Sequence, residues 1–389
     1  MSYIQGHCAP QFKALHKLIS EKLQSNEELG VSLSVIIGDR TVVDIWGGYK
    51  DAARTKPWTK ETITTVWSLS KIITNLAALL LVDRGQLDPS APVANYWPEF
   101  AANGKENILI KHILSHTSGV SSWELPNTIV DIYNTRQSTA KLAAQKPWWS
   151  PPGVQSGYHV TNQGHMVGEI VYRVTGKLLG AFIRDELAAP LRADFQLGLS
   201  QEPDWDRVAD LIPGPPVTIP DGIDLNSVFA KTFMSILMPA ETAMTPGFRN
   251  AEIGATNGFS NARALAKIGS MVANGGAVGG KRFMSEETIH RMLEVQSDGV
   301  DLVLGCHLRF GLGVGLPTPE TLPWLPADGR VAYWGGWGGS FLVMDVDRKV
   351  SIAYVMNKMG EGTLGNHNTA EYVKVIYAIL DELDVEAFN

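Results

Sequence analysis

Strand-like sequence lies near both ends of the chain, and helical patterns fill most of the middle. Residues 31–49, VSLSVIIGDRTVVDIWGGY, predict an antiparallel hairpin that turns at Gly38-Asp39-Arg40. From residue 303 onward, further strands are predicted by HLRFGLGVGL, RVAYWGG, GSFLVMDVD and KVSIAYVMN. Because strands from the two ends must bury their apolar faces together, we expect a central antiparallel sheet assembled from both termini.

Apolar residues recur with helical spacing between and beyond these strands. They predict helices at residues 10–28, 68–84, 107–115, 162–174, 178–188, 260–273, 285–296 and 369–384. The segment 200–250 is rich in Pro, Gly and Asp and is expected to be irregular. We therefore expect one structural unit, residues 1–389. It would combine an α/β subdomain, about 1–85 and 255–389, with a helical and irregular subdomain, about 86–254.

The overall charge and the cysteine content exclude several classes of protein. The formal net charge is −7 and no dense Lys/Arg cluster is present, so a nucleic-acid partner is not expected. Two distant cysteines, Cys8 and Cys306, make neither a disulfide framework nor a zinc motif. The N-terminus lacks the pattern of a secretory signal. The longest apolar run, Ile72–Val82, is too short to span a bilayer. We expect a cytoplasmic protein that does not enter a membrane.

Ser68 and Lys71 stand in VWSLSK, residues 66–71, at the start of that apolar run. Residues i and i+3 of a helix lie on one face, so the two side chains can meet. A serine hydroxyl needs a neighbouring base to become a nucleophile. A lysine can be that base if burial or positive potential lowers its pKa, and an apolar helix start supplies both.

The same spacing occurs a second time, at Ser138-Thr139-Ala140-Lys141, without an apolar helix behind it. The spacing alone therefore leaves the alternative of an N-cap serine with a surface lysine. Two downstream features favour catalysis. PPGVQSGYHVTNQGHMVGEIVYRVTG, residues 151–176, presents Tyr158 shortly before an apolar helix. YWGGWGGS, residues 333–340, is glycine-rich between two strands, where backbone N–H groups can approach a substrate closely.

With these motifs in this order, the chain resembles the serine β-lactamase and penicillin-binding-protein superfamily. Within it, the chain is most similar to the class C-like branch and to the family VIII carboxylesterases. The resemblance runs from about residue 30 to 360. It includes SLSK, LLLVDRGQLDPSAPVANYWPEF, IKHILSHTSGV, PPGVQSGYHV and GGWGGSFLVMDVDRKVSIAYVMNKM. It implies an α/β (α+β), β-lactamase/transpeptidase-like fold: a central antiparallel sheet flanked by helices, with a mainly helical subdomain and the active site between them.

The resemblance also implies roles for individual residues. Ser68 would be the nucleophile, Lys71 its partner, and Tyr158 the second general acid/base. The N–H groups of Ser68 and Trp337 would form the oxyanion hole. Which of Lys71 and Tyr158 is the base during acylation is left open by the sequence.

Two departures from the superfamily pattern bear on the substrate. Trp334-Gly335-Gly336 matches the Lys-Thr-Gly element of the sheet's edge strand, and is expected to bind substrate with tryptophan in place of lysine. An indole cannot pair with a substrate carboxylate and offers an apolar wall instead. The asparagine expected after Tyr158 is Val160, although Asn162 is close. Both changes favour neutral, ester-like substrates over penicillins.

Two histidines are further candidates. His159 would line the substrate pocket as a substrate-binding residue, shuttle a proton, or play a structural role, and the structural role is favoured. His116 lies in SHTSG, a structural turn in the superfamily, and no GxSxG motif exists to pair with it as in a serine–histidine hydrolase.

Glycine and tryptophan motifs have ordinary interpretations. GGAVGGKR, residues 275–282, has Arg282 where a P-loop needs Ser or Thr, so it predicts a glycine turn. GLGVGL, residues 311–316, predicts a strand of small residues rather than a dinucleotide site. Trp148 and Trp149 either fill the core or join Trp334 and Trp337 in an aromatic pocket.

The sequence thus predicts a serine hydrolase that cleaves small-molecule carboxylic esters through an acyl-enzyme on Ser68, with no metal or organic cofactor. The alternatives are an acyltransferase that passes the acyl group to an alcohol or amine, an amide or β-lactam hydrolase, and a catalytically silent binding module. The natural substrate and the oligomeric state do not follow from the sequence.

Overall fold

The structure, a computed structural model, describes residues 4–199, 202–215 and 222–383. Nine strands form one antiparallel sheet in the order β1-β3-β2-β14-β13-β12-β11-β10-β9. The first three of these strands come from the N-terminal end of the chain and the other six from the C-terminal part, as predicted. In chain order, the strands are β1 (Gln5–Cys8), β2 (Gly30–Ile37), β3 (Arg40–Gly48), β4 (Thr64–Thr65), β5 (Gln196–Leu197), β6 (Gly258–Ser260), β7 (Ala277–Val278), β8 (Lys281–Arg282), β9 (Ser297–Val300), β10 (His307–Phe310), β11 (Gly315–Leu316), β12 (Val331–Gly335), β13 (Phe341–Asp345) and β14 (Val350–Met356).

Each helix predicted from the sequence is present, although several are shorter than predicted. None of the helices in the described ranges is long and apolar enough to cross a membrane. The α-helices are α1 (Lys13–Ser25), α2 (Ser70–Asp83), α3 (Ile110–Leu114), α4 (Thr135–Ala144), α5 (Gln163–Thr175), α6 (Leu179–Ile183), α7 (Ala189–Leu191), α8 (Glu202–Trp205), α9 (Val228–Ser235), α10 (Pro246–Asn250), α11 (Ala262–Ala273), α12 (Glu286–Met292) and α13 (His367–Glu382). A π-helix, Arg184–Ala188, joins α6 to α7.

The expectation of an irregular segment at 200–250 was wrong in part, because α8, α9 and α10 lie within it. Residues 200–201 and 216–221 of that segment lie outside the described residues. These helices are too short for an apolar periodicity to register, and side-chain caps help to define their starts. The Ser227 side chain accepts a hydrogen bond from Ala230 N at the start of α9, and Thr245 does so from Phe248 N at the start of α10.

Helices cover both faces of the sheet. On β14, successive side chains point to opposite faces, so Ser351 and Tyr354 face different layers. Ser351 faces α11, where a Cβ on Gly269 would lie only 2.3 Å from its Oγ. Tyr354 faces α13, with its ring centroid 5.1 Å from that of Tyr372. Buried apolar side chains from the sheet and the helices form one contiguous core. The boundaries expected between two subdomains stay a prediction.

A second, three-stranded sheet supports the chain just before α2. Its strand order is β4-β6-β5. Val66 N donates to Gly258 O at 2.9 Å, and Gly258 N donates to Ser70 Oγ at 2.8 Å. These bonds tie both sides of Ser68 to the same glycine, so this small sheet fixes where α2 begins.

Candidate active site

Ser68 lies in a tight turn rather than in the helix predicted at 68–84, because α2 begins at Ser70. Trp67 has a left-handed backbone with φ of 49°, which costs a bulky residue energy and must be held in place. The Ser70 hydroxyl holds it by donating to Trp67 O. Lys71 N still donates to Ser68 O at 3.1 Å, so one turn separates the two side chains and they meet as expected.

Lys71 is buried and points at Ser68. Its Nζ lies 3.2 Å from Ser68 Oγ, 2.7 Å from Val160 O and 3.0 Å from Ala255 O. Burial lowers the pKa of the Lys71 amine well below its usual value. A neutral amine has two N–H donors and one lone pair. The two carbonyls accept both donors, and the lone pair then faces the Ser68 hydroxyl.

Tyr158 completes the group around Ser68. Its ring centroid lies 4.7 Å from Lys71 Nζ, and its phenol interacts with the Ser68 hydroxyl. Trp334 Nε1 donates to the Tyr158 hydroxyl oxygen at 3.2 Å. Burial raises the pKa of Tyr158, so the phenol keeps its proton. Because an indole only donates, the phenol accepts from Trp334 and can direct its own proton toward Ser68.

The motif Trp334-Gly335-Gly336 lies at the end of β12, which is not the edge strand that the sequence predicted. β11 pairs with β12, and that pairing is restricted to Gly315 and Tyr333. The chain beyond Tyr333 therefore has no β11 partner, and it runs close to the turn that holds Ser68. A Cβ on Gly336 would lie 2.3 Å from Val66 O, so only glycine allows this approach.

Trp337 follows directly and packs against the turn of Ser68. Its ring centroid lies 5.2 Å from that of Trp67. Within the described ranges, the backbone N–H groups of Ser68 and Trp337 have no backbone acceptor. Two unpaired N–H groups on adjoining segments fit the predicted oxyanion hole.

Comparison with known proteins shows to which family the chain belongs. The sequence model of the family described as Beta-lactamase matches residues 15–374. The chain belongs to the β-lactamase family.

Relatives within the family cover nearly the whole chain. Esterase/beta-lactamase LipL from Mycobacterium tuberculosis is 31% identical over 371 residues, which are 91% of this chain and 83% of that protein. A family VIII carboxylesterase of known structure is 31% identical with a TM-score of 0.90, covering 97% of this chain and 100% of that chain. A penicillin-binding-protein homologue from Caulobacter crescentus is 31% identical, with a TM-score of 0.89 over the same shares. The predicted superfamily and its β-lactamase/transpeptidase-like fold are confirmed.

The two histidines near Tyr158 are both buried and hydrogen-bonded within the chain. His159 is wholly buried, and its ring nitrogens lie 2.6 Å from Gly157 O and 2.6 Å from Ser118 Oγ. Burial lowers the pKa of His159 to about 3, so it stays neutral and has no ring nitrogen left for a substrate. His116 Nδ1 accepts from His159 N at 3.0 Å, and its ring packs 4.9 Å from that of Tyr158.

Residue 160, where the superfamily has an asparagine, has a different role in this chain. Val160 contributes its carbonyl to Lys71. Asn162 does not replace the missing amide, because its Nδ2 donates to Val120 O at 2.8 Å instead.

The remaining sequence motifs make local contacts of their own. In the second Ser-x-x-Lys copy, Ser138 donates to Asp131 O and Lys141 donates to Asn127 Oδ1, so the two side chains do not pair. GGAVGGKR is the β7–β8 hairpin, as its glycines predicted. Trp149 packs against Gly157, where a Cβ would lie 2.6 Å from the indole.

Two contributors to the site escaped the sequence analysis. Ala255 acts through its backbone carbonyl, which no side-chain motif reveals. Asp301 accepts a hydrogen bond from Tyr158 N at 3.1 Å, across 143 positions of sequence. An aspartate in a Gly-containing segment predicts a local turn, and nothing in the sequence points to its distant partner.

Proposed function

We propose that the protein is a serine hydrolase that cleaves small-molecule carboxylic esters through an acyl-enzyme on Ser68. The observation that carries this proposal is the contact between Lys71 Nζ and Ser68 Oγ, 3.2 Å apart and buried. A lysine whose pKa is lowered by burial is a base for a serine hydroxyl at neutral pH.

In the proposed reaction, Ser68 Oγ attacks the ester carbonyl and its proton passes to the neutral Lys71 amine. The carbonyl oxygen becomes an oxyanion, held by the N–H groups of Ser68 and Trp337. Tyr158, which remains protonated, gives its proton to the leaving alkoxide and is reprotonated from Lys71. Water then attacks the acyl-enzyme by the reverse route and releases the acid. This order makes Lys71 the base and Tyr158 the acid of acylation.

A neutral substrate is favoured by Trp334. The resemblance places a lysine at this position in β-lactamases, where it helps to bind the substrate carboxylate. Here the indole N–H is engaged with Tyr158, and Phe310 lies 5.4 Å from the indole, so the position offers apolar surface and no cation. LipL, described as an esterase/beta-lactamase, and the family VIII carboxylesterase support ester hydrolysis.

The test compares two serine variants that share the Ser-x-x-Lys context. Ser68→Ala should abolish hydrolysis of p-nitrophenyl butyrate, whereas Ser138→Ala should keep it. Intact-mass measurement during turnover should detect one butyryl group on the wild type and none on Ser68→Ala. Turnover that survives in Ser68→Ala would overturn the proposal. If the main product in added alcohol is a new ester, acyl transfer is the better description.

We also propose a cytoplasmic location. Its support is the pair of free cysteines, Cys8 and Cys306, since thiols stay reduced in that compartment. Fractionation of cells that express the protein, with an antibody against it, tests this location directly.

A further inference from the structure

Asp301 is a buried carboxylate that lies behind the proposed acid Tyr158. It is 1% exposed, and it is outside the motifs of the resemblance. Its Oδ1 accepts hydrogen bonds from three backbone N–H groups, those of Tyr158 at 3.1 Å, Val303 at 2.9 Å and Leu304 at 2.9 Å. The bonds to Val303 and Leu304 close the turn of Asp301, and the bond to Tyr158 joins that turn to the active site.

A second bond ties the same two segments together. Leu302 N donates to Ser156 O at 2.9 Å. Residues 156–159 belong to no helix or strand, so no regular ladder holds the backbone of Tyr158. The turn of Asp301 supplies that support from outside. A carboxylate is a strong acceptor for such an N–H, and losing it would leave a buried donor unpaired.

The position of the Tyr158 phenol therefore depends on contacts at the hydroxyl and at the backbone of this residue. Trp334 binds the hydroxyl, and Asp301 binds the backbone N–H. The second oxygen of Asp301, Oδ2, is buried and has no hydrogen-bond partner among the described residues. The Asp301 carboxyl group adds to burial in raising the pKa of Tyr158, which keeps the phenol protonated.

We propose that Asp301 is the positioning residue of Tyr158, which fixes the phenol where it protonates the leaving alcohol. The inference rests on the proposed esterase function. It predicts a specific defect, because ethanol needs a proton to leave whereas p-nitrophenolate leaves as an anion. A misplaced Tyr158 should harm hydrolysis of ethyl butyrate far more than that of p-nitrophenyl butyrate.

The experiment measures kcat/KM on both esters for Asp301→Ala and Asp301→Asn. Asp301→Ala should lower the value for ethyl butyrate about 10²-fold, since proton transfer from a placed acid is worth about 10²–10⁴-fold. For p-nitrophenyl butyrate the loss should be about tenfold or less. Asp301→Asn keeps an oxygen that can accept the same three N–H groups, so it should restore most of the activity on ethyl butyrate. Asp298→Ala, which removes a more exposed carboxylate three positions earlier, should leave the ratio of the two substrates unchanged.

Thermal unfolding of each variant shows whether it is folded. If Asp301→Ala is unfolded, Asp301→Glu replaces it, because it keeps the charge but displaces the acceptor, and the same selective loss is expected. Equal losses on the two esters, or an Asp301→Asn variant as impaired as Asp301→Ala, would overturn the inference alone. A wild type that hydrolyses neither ester would overturn the proposed function, and the inference with it.

Discussion

Trp334 donates its indole N–H to the hydroxyl oxygen of Tyr158 at 3.2 Å, and both side chains are buried. The resemblance places a lysine at this position in β-lactamases. An ammonium there would put a full charge beside the phenol, whereas the indole supplies a single neutral donor. The exchange keeps Tyr158 oriented and removes the group that would attract an anionic substrate.

Replacing Trp334 with Phe tests this orientation. The variant keeps an aromatic ring but loses the donor, so the phenol is no longer fixed by its oxygen. We expect kcat on butyrate esters to fall about tenfold, the equivalent of one net hydrogen bond, with little change in KM. Steady-state kinetics measure both constants. Trp324→Phe, which alters a tryptophan packed on Phe341 instead, should retain wild-type kinetics. Equal kcat values for wild type and Trp334→Phe would contradict the role of the indole.

Gly336 is predicted to be intolerant of even one methyl group. In Gly336→Ala the new Cβ would meet Val66 O at 2.3 Å, and that carbonyl belongs to the turn of Ser68. The backbone must shift, and the N–H of Trp337 shifts with it. We expect kcat to fall about 10²–10³-fold, as when one oxyanion donor is lost. Gly168→Ala is the matched control in α5, where the added Cβ makes only ordinary contact at 3.5 Å. A Gly336→Ala enzyme as active as Gly168→Ala would rule out this oxyanion geometry.

The sequence predicts the centre of the site because that centre depends on local spacing. Ser68 and Lys71 are one turn apart in any compact helical start, and the apolar run behind them implies burial. Tyr158 was found only through its place in the motif order, since a lone tyrosine carries no signal. The predicted start of α2 was wrong by two residues. The hydrogen bonds of the Ser70 hydroxyl with Trp67 and Gly258 fix that start, and the spacing of apolar residues does not reveal them.

The parts that the sequence could not predict are long-range backbone contacts. The carbonyls of Val160 and Ala255 come from distant segments and surround Lys71, and a carbonyl is present on every residue. β12 was expected at the edge of the sheet. The short strands β9, β10 and β11 continue the sheet beyond it. A two-residue strand such as β11 is too short to show an alternation of apolar and polar residues.

Glu28 should make the stability of the fold depend on pH near neutrality. It is wholly buried and accepts hydrogen bonds from Tyr354, Asn368 and Tyr372. Burial raises its pKa from 4.5 to about 7. A raised carboxyl pKa means that the folded state prefers the protonated form. The contribution of Glu28 to the free energy of unfolding is therefore fully present below pH 4.5 and is lost as pH rises through about 7.

Urea unfolding at a series of pH values tests this linkage. The wild type should lose stability between about pH 4.5 and 7, and Glu28→Gln, which cannot ionise, should flatten that decline. Glu27→Gln is the control, because Lys22 holds the pKa of the exposed Glu27 below its usual value, outside this window. A decline of the same size in Glu28→Gln would assign the effect to other groups.

Lys71 should set the acid limb of the pH–rate profile. The base must be neutral, so kcat/KM should rise as pH increases through the pKa of Lys71, which burial places well below its usual value of 10.5. Above that point the profile should stay flat at accessible pH, since the raised pKa of Tyr158 keeps the acid protonated. Lys71→Arg retains the charge but cannot lose its proton, so kcat/KM should fall about 10²–10⁴-fold at every pH. Lys141→Arg, in the second Ser-x-x-Lys copy, should reproduce the wild-type profile. An acid limb near the unshifted lysine pKa, or an active Lys71→Arg enzyme, would mean that another group takes the Ser68 proton.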